Sequence, residues 1–358
     1  MTDTAPLAAA PLLARLGPAL NRILEVQSAD GSIPWFENGP WDPWNHVESA
    51  MALTAMGAIE AARSAFEFLL DTQREEGAWM GEYGNTLPVV DRDYISRQPA
   101  PAFLDTNFCA YPAVGVVHYL LATQDLERTR RWWPMIQRAL DFVLSLQHPD
   151  GTISWALEAR NTPEDDALLC GNASIVKSLE CGIFLAEACG QPRPDWQARR
   201  EALMRAICVT PERFDRRKTG VRYAMDWYYP VLAGVFTSEQ GIARLNQKWQ
   251  KFVVSGRGCR CVSDEPWVTV AETCELAMAL LQVGRQEPAR ALFNEIQSLR
   301  DASGVFWMGW QFEEHLIWPK ERPSWTQAAV ILAADALDNR SAASRLLVER
   351  LPTVSATI

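Results

Sequence analysis

The chain has 358 residues and a formal net charge of −10, with 48% hydrophobic and 22% charged residues, the balance of a soluble globular protein with a large core. Such acidity repels a phosphate backbone, and the densest basic patch, RTRRWW at 128–133, is too short to offset it, so no nucleic-acid partner is expected. Fifteen tryptophans are the unusual feature, and eight irregularly spaced cysteines suit reduced thiols, hence a cytoplasmic location, better than a disulfide framework.

Residues 7–27 open the chain with arginines recurring on one helical face. Asp3 stands where a signal peptide would carry basic residues, so this segment is expected to be a first helix. The next segment, NHVESAMALTAM, is apolar nearly all round. From there two kinds of segment alternate. Amphipathic ones span 59–73, 125–147, 194–209, 238–254 and 286–300. Apolar ones read YPAVGVVHYLLAT, NASIVKSLECGIFLAEACG, YPVLAGVF, VTVAETCELAMALLQVG and SWTQAAVILAADAL. A helix without a polar face is buried on all sides. Six of each kind predict six helical hairpins in two concentric rings: an all-α, single (α/α)6 toroid over residues 1–340, followed by a C-terminal tail at 341–358. No period-2 strand pattern competes with this, and no run of 18 apolar residues points to a transmembrane segment.

The connections are also of two kinds. From an apolar helix to the next amphipathic one the chain turns at once, as at Gly57-Ala58 or Gly284-Arg285. The return connections are long and rich in Pro and Trp. All long loops therefore gather on one face, where function concentrates on such scaffolds. Three of these returns begin alike: QSADGSIPW from Gln27, QREEGAW from Gln73 and QHPDGTISW from Gln147, with a looser copy from Gln297. In each close copy the glycine ends the outer helix in a conformation other residues resist. The glutamine is expected to bond the last free carbonyls of that helix, and the tryptophan to fold over the rim.

The stretch Phe66 to Trp79, with Gln73, Gly77 and Trp79, resembles the QW motif of the terpenoid cyclase and protein prenyltransferase superfamily, whose members share an α/α toroid. The stretches WDPWNHVESAMAL, MDWYYPVL, RCVSDEPWVTVAETCEL and WPKERPSWTQAAVILAADAL are similar to bacterial stand-alone prenyltransferase-like proteins. The resemblance implies a transferase or squalene-cyclase-like enzyme. The motifs that carry that chemistry are absent, since Asp91-Arg-Asp93 lacks the final acid of Asp-x-Asp-Asp and Asp165-Asp166 has no partner for Asp-Asp-x-x-Asp.

Candidate site residues follow from the toroid, because the apolar helices all start at the long-loop face. Asp105, Asp226, Glu272, His46 and Glu48 are the acid/base candidates, with Asn107 beside them. Glu272 and Glu275 share a face of an otherwise apolar helix, where a buried carboxylate is costly unless it is paired or functional. Asp and Asn before a helix also serve as caps. Trp35, Trp41, Trp44, Trp227, Tyr228, Tyr229, Trp267, Trp307, Trp310 and Trp325 are candidate substrate-binding aromatics. Such rings steady carbocations or stack on sugars equally well. The expectation is an isoprenoid-type enzyme with Asp226 or Asp105 as proton donor, tuned by Glu272 and His46. It needs no resident cofactor or metal, save Mg2+ for a diphosphate substrate, and leaves room for peripheral membrane contact. The alternatives are a carbohydrate-active toroid working with paired carboxylates from Asp105, Asp226 and Glu272, and a non-catalytic binding toroid.

Overall fold

The computed structural model describes residues 11–83, 103–158, 163, 165–216, 222–352 and 354. Its helices in chain order are α1 (Gly17–Val26), α2 (Pro43–Ala55), α3 (Ile59–Thr72), α4 (Thr106–Ala110), α5 (Pro112–Thr123), α6 (Leu126–Ser145) and α7 (Leu169–Ala188). They continue with α8 (Pro194–Val209), α9 (Ala224–Leu232), α10 (Ser238–Phe252), α11 (Val270–Gln282), α12 (Gln286–Glu295) and α13 (Ser324–Asp338). The apolar helices pack in a closed inner ring in which α2 meets α5, then α7, α9, α11, α13 and α2 again, with α4 and α5 forming one inner helix broken at Tyr111 before Pro112. Outside it stand α1, α3, α6, α8, α10 and α12, which turn their apolar stripes inward. The protein is an all-α toroid, as its two classes of segment dictate. Helix α7 is long and apolar enough to cross a membrane, yet it is one of the buried inner helices.

The glutamine repeats show how neighbouring hairpins are fastened. The Gln73 side-chain amide donates to Gly77 O at 2.8 Å and to Met135 O, on the next outer helix, at 2.9 Å. Gln147 does the same with Gly151 O (2.9 Å) and Arg199 O (3.0 Å), and Gln27 with Gly31 O and Ala61 O. The expected partner was the carbonyl end of the glutamine's own helix. The amide instead bridges its own turn to the next outer helix. The glycines complete this clasp, because Gly77 sits at φ +90 and a Cβ there would lie 2.5 Å from Arg138 O. At Gly151 (φ +93) a Cβ would come equally close to Ala202 O. The looser copy does not clasp, since Gln297 Nε2 returns to Phe293 O of its own helix.

The rim also holds short strands that no alternation in the sequence announces. Strands β1 (Phe103–Asp105) and β2 (Ala156–Glu158) pair there, and β3 (Val253–Val254), β4 (Gly258–Arg260), β5 (Trp267–Thr269), β6 (Gly309–Gln311) and β7 (Leu316–Ile317) form an antiparallel five-stranded sheet in that order. Strands of two or three residues are too short to display an alternating pattern.

At the opposite end, the segment after α13 crosses beneath the ring. Ala343, Leu346 and Val348 are buried, the Lys177 ammonium donates to Glu349 O at 2.8 Å, and Leu351 N donates to Glu180 at 2.6 Å. Lys177 and Glu180 belong to α7, across the ring from α13.

Candidate active site

Each inner helix must secure the long loop that delivers it, and several do so with one polar side chain in their first turns. His46 Nδ1 accepts from Ile33 N (3.1 Å), while its Nε2 meets Ala65 O (2.9 Å) and so carries the proton. Asn172 exchanges two hydrogen bonds of 2.9 Å with Ile153, and Gln327 two with Phe306 at 3.0 and 2.8 Å. Thr273 Oγ1 accepts from Cys259 N, and Cys109 Sγ from Trp79 N. These five residues tether loops to the ring. Burial holds the His46 imidazole down to about 4, so it is neutral and fully engaged, which removes the tuning role expected of it.

Side chains one or two positions before a tether, or two after it, point elsewhere. Trp44, Asn45 and Glu48 flank His46; Phe108 precedes Cys109; Ala271, Glu272 and Glu275 flank Thr273; Trp325 lies two before Gln327. Together with Met225 of α9 these nine line a cavity of about 220 Å3 at the long-loop mouth. Three carboxyl groups and a carbon-rich wall therefore share one space.

The electrostatics of that space follow from burial. Glu48 and Glu275 are each 8% exposed. Burial lifts the Glu48 carboxyl to about 7, although hydrogen bonds from Trp44 Nε1 (2.8 Å) and Tyr111 Oη (3.2 Å) pull the other way. Both donors address Oε1, leaving Oε2 to carry a proton. Burial and the neighbouring Glu48 charge push Glu275 well above the usual carboxylate range, and the Tyr228 hydroxyl donates to it. Glu272, half-buried in the first turn of α11, accepts from the Thr269 hydroxyl. A site that disfavours one ionised carboxyl while bonding a second is an arrangement for acid/base chemistry.

The other expected residues lie elsewhere. Asp105 caps α4 by accepting from Phe108 N (2.9 Å), and burial raises it to about 7 outside the cavity lining. Asp226 lies buried beside the Arg244 guanidinium, which also bonds its backbone carbonyl at 2.7 Å. The two proton donors expected from the sequence are thus a cap and a partner of an outer-helix arginine. Asn107 is buried, and its amide has no partner among the described residues.

Of the aromatics, Trp44 and Trp325 line the cavity. Tyr229 packs edge-on to Trp44 at 5.5 Å. Trp35 is spent on Asp42 (2.7 Å), and Trp41 stacks on Tyr83. Trp227 is buried against Phe252 with its indole N–H on Arg244 O. Trp307 and Trp310 lie under Arg322 and Arg257, and Trp267 belongs to the rim sheet. Phe108, Met225 and Ala271 were missed because an apolar residue at a helix start reads as core. For Phe108 and Ala271 the available signal was a place one or two positions before a tether, as for Trp44 and Trp325; no tether marks Met225.

Comparison with known proteins overturns the isoprenoid expectation. No family model matches the chain. The MMP endo-(1,4)-3-O-methyl-α-D-mannosidase of Mycolicibacterium hassiacum is 44% identical over 315 residues, which cover 88% of this chain and 84% of that protein. Among solved structures, a glycosidase superposes with a TM-score of 0.67 at 15% identity over 92% of this chain and 99% of its own. A D-mannose isomerase does so with 0.68 at 10% identity over 90% and 96%. At such identities these two establish the ring alone. The terpenoid cyclase and prenyltransferase resemblance, with its transferase activity and isoprenoid substrate, is therefore corrected, since the Gln-Gly-Trp turns that suggested it are clasps between hairpins and carry no chemistry. Identity at this level along seven-eighths of the sequence places the chain in the family of the Mycolicibacterium hassiacum MMP endo-(1,4)-3-O-methyl-α-D-mannosidase.

Proposed function

We propose that the protein is a glycoside hydrolase that cuts α-(1→4) bonds inside chains of 3-O-methylmannose. The observation that carries this reading is the clustering of Glu48, Glu272 and Glu275 in one cavity of a chain 44% identical to such an enzyme. Glu48 acts as the general acid, giving its proton to the glycosidic oxygen as the bond from that oxygen to the anomeric carbon breaks. Glu272, as the second carboxylate, takes a proton from the water whose oxygen forms the new bond to the anomeric carbon. Glu275, bonded by Tyr228, sits beside Glu48 and is kept protonated by burial and by the Glu48 charge.

The wall supports the methylated substrate. Phe108, Met225 and Ala271 offer no side-chain hydrogen-bond donor, so a free hydroxyl facing them loses its water without compensation, at about 1–3 kcal/mol. A methyl ether facing them loses little.

The test is incubation with defined α-(1→4)-linked oligosaccharides of 3-O-methylmannose and of plain mannose, with products resolved by mass. Shorter methylated oligosaccharides from internal cuts are expected, with the plain series cleaved far more slowly. Absence of hydrolysis of both series would remove the reading.

A further inference from the structure

The rim sheet presents one face that runs into the cavity. Paired residues in a sheet share a face, and so do residues two apart on a strand. Trp267 pairs with Gln311, and Gln311 with Leu316, while Trp318 N bonds Gly309 O beyond the end of β7. Trp267, Leu316 and Trp318 therefore belong to the face that also carries Thr269, whose hydroxyl bonds Glu272. Gly309 makes this face possible, because a Cβ there would meet Trp267 Nε1 at 2.5 Å. With no side chain in the way, the Trp267 indole lies across β6, donates to Trp318 O at 2.7 Å and packs edge-on against the Trp318 ring at 5.0 Å.

Trp318 is braced yet 38% exposed, and Leu316 beside it is 40% exposed. Most of the other tryptophans are buried or have partners within the fold. Both chain segments at Trp318 lead to the cavity: β5 continues into α11 and Glu272, and Trp318 itself is followed by the start of α13 with Trp325.

We propose that Trp318, held by Trp267, is a sugar-stacking subsite for the part of the glycan chain that lies outside the cavity. The inference rests on the glycosidase reading. It adds that substrate length is sensed at this rim, outside the cavity that holds the carboxyl groups. A sugar's apolar C–H face fits a half-exposed indole, and neutral glycans need no charged partner there.

The experiment compares wild type, Trp318→Ala and Trp318→Phe on methylmannose oligosaccharides from the shortest that is cleaved to long chains. Affinity is measured in parallel by calorimetry on a Glu48→Gln background, where the chain is not consumed. Trp318→Ala is expected to lower kcat/KM and affinity for long chains about tenfold through KM, the scale of one aromatic stacking contact, with short substrates unchanged and Trp318→Phe largely restoring the loss. Equal loss at every length would make Trp318 a structural brace and overturn the subsite, as would no loss at all. Length-dependent binding that Trp318→Ala removes, in a protein that hydrolyses nothing, would sustain the subsite while removing the hydrolase reading. Failure to bind either length would remove both.

Discussion

His46 and Glu48 stand two residues apart on α2, both buried and both polar in an apolar helix. His46 spends both ring nitrogens on backbone, one on the incoming loop and one on the outer helix α3. Glu48 shares one oxygen between Trp44 and Tyr111 and faces the cavity with its neighbours. Thr273 and Glu275 repeat the contrast on α11. Two adjoining sets of positions thus separate loop fastening from chemistry, and burial alone does not tell them apart. What distinguishes them is whether the polar atoms are matched by backbone or only by other side chains.

The largest test of that contrast is on rate. Glu48→Gln and Glu272→Gln should each lower kcat about 10²- to 10⁴-fold, the usual worth of a positioned acid or base, with the melting temperature held. A merely structural carboxyl would give the reverse result. Next is the clasp. Gly77→Ala should cost roughly 1–3 kcal/mol from its backbone conformation, with the approach to Arg138 O adding to this, as read by denaturant unfolding. Activity per folded molecule should be unchanged. His46→Ala strands Ile33 N and Ala65 O and should cost on the order of 1–3 kcal/mol of stability, again without altering the pH dependence of the folded fraction's activity. Loss of activity with stability intact would collapse the distinction. The smallest effect is on pH. Glu48 must hold its proton to act, so kcat/KM should fall as pH rises through about 7. Glu275 holds its proton above the pH at which Glu48 loses one, so Glu275→Gln removes no charge across that limb and should leave it in place.

The ring itself was legible in the sequence because two physical signals coincide: helices apolar on one stripe alternate with helices apolar all round, and short turns alternate with long returns. The outer segments expected at 59–73, 194–209 and 238–254 match α3, α8 and α10 to within two residues. Chemistry was less legible. Gln73, Gly77 and Trp79 recur because consecutive hairpins must be fastened, so they report on packing, and reading them as a badge of isoprenoid enzymes carried the function astray. Asp105 drew notice by standing before a helix, which is also where caps stand. Glu272 and Glu48 were visible as acids in apolar helices, whereas Met225 and Phe108 looked like core and acquire meaning only when five separate helix starts are brought to one cavity. The rim sheet was invisible, since its strands are two or three residues long and Trp267–Thr269 gains one of its two partners, Gly309–Gln311, from a distant downstream segment.

The strap formed by residues 341–351 has a topological consequence. With Lys177 and Glu180 anchoring it below, the toroid is a cup rather than a tunnel. A polymer cannot be threaded through a cup. On the proposed glycosidase reading a glycan would dip into the bowl and rise again, leaving both tails on one side, and both fragments would depart over the lip where the chain arrived. Nothing in such a vessel favours sliding along a strand from cut to cut, so each scission would be a separate encounter.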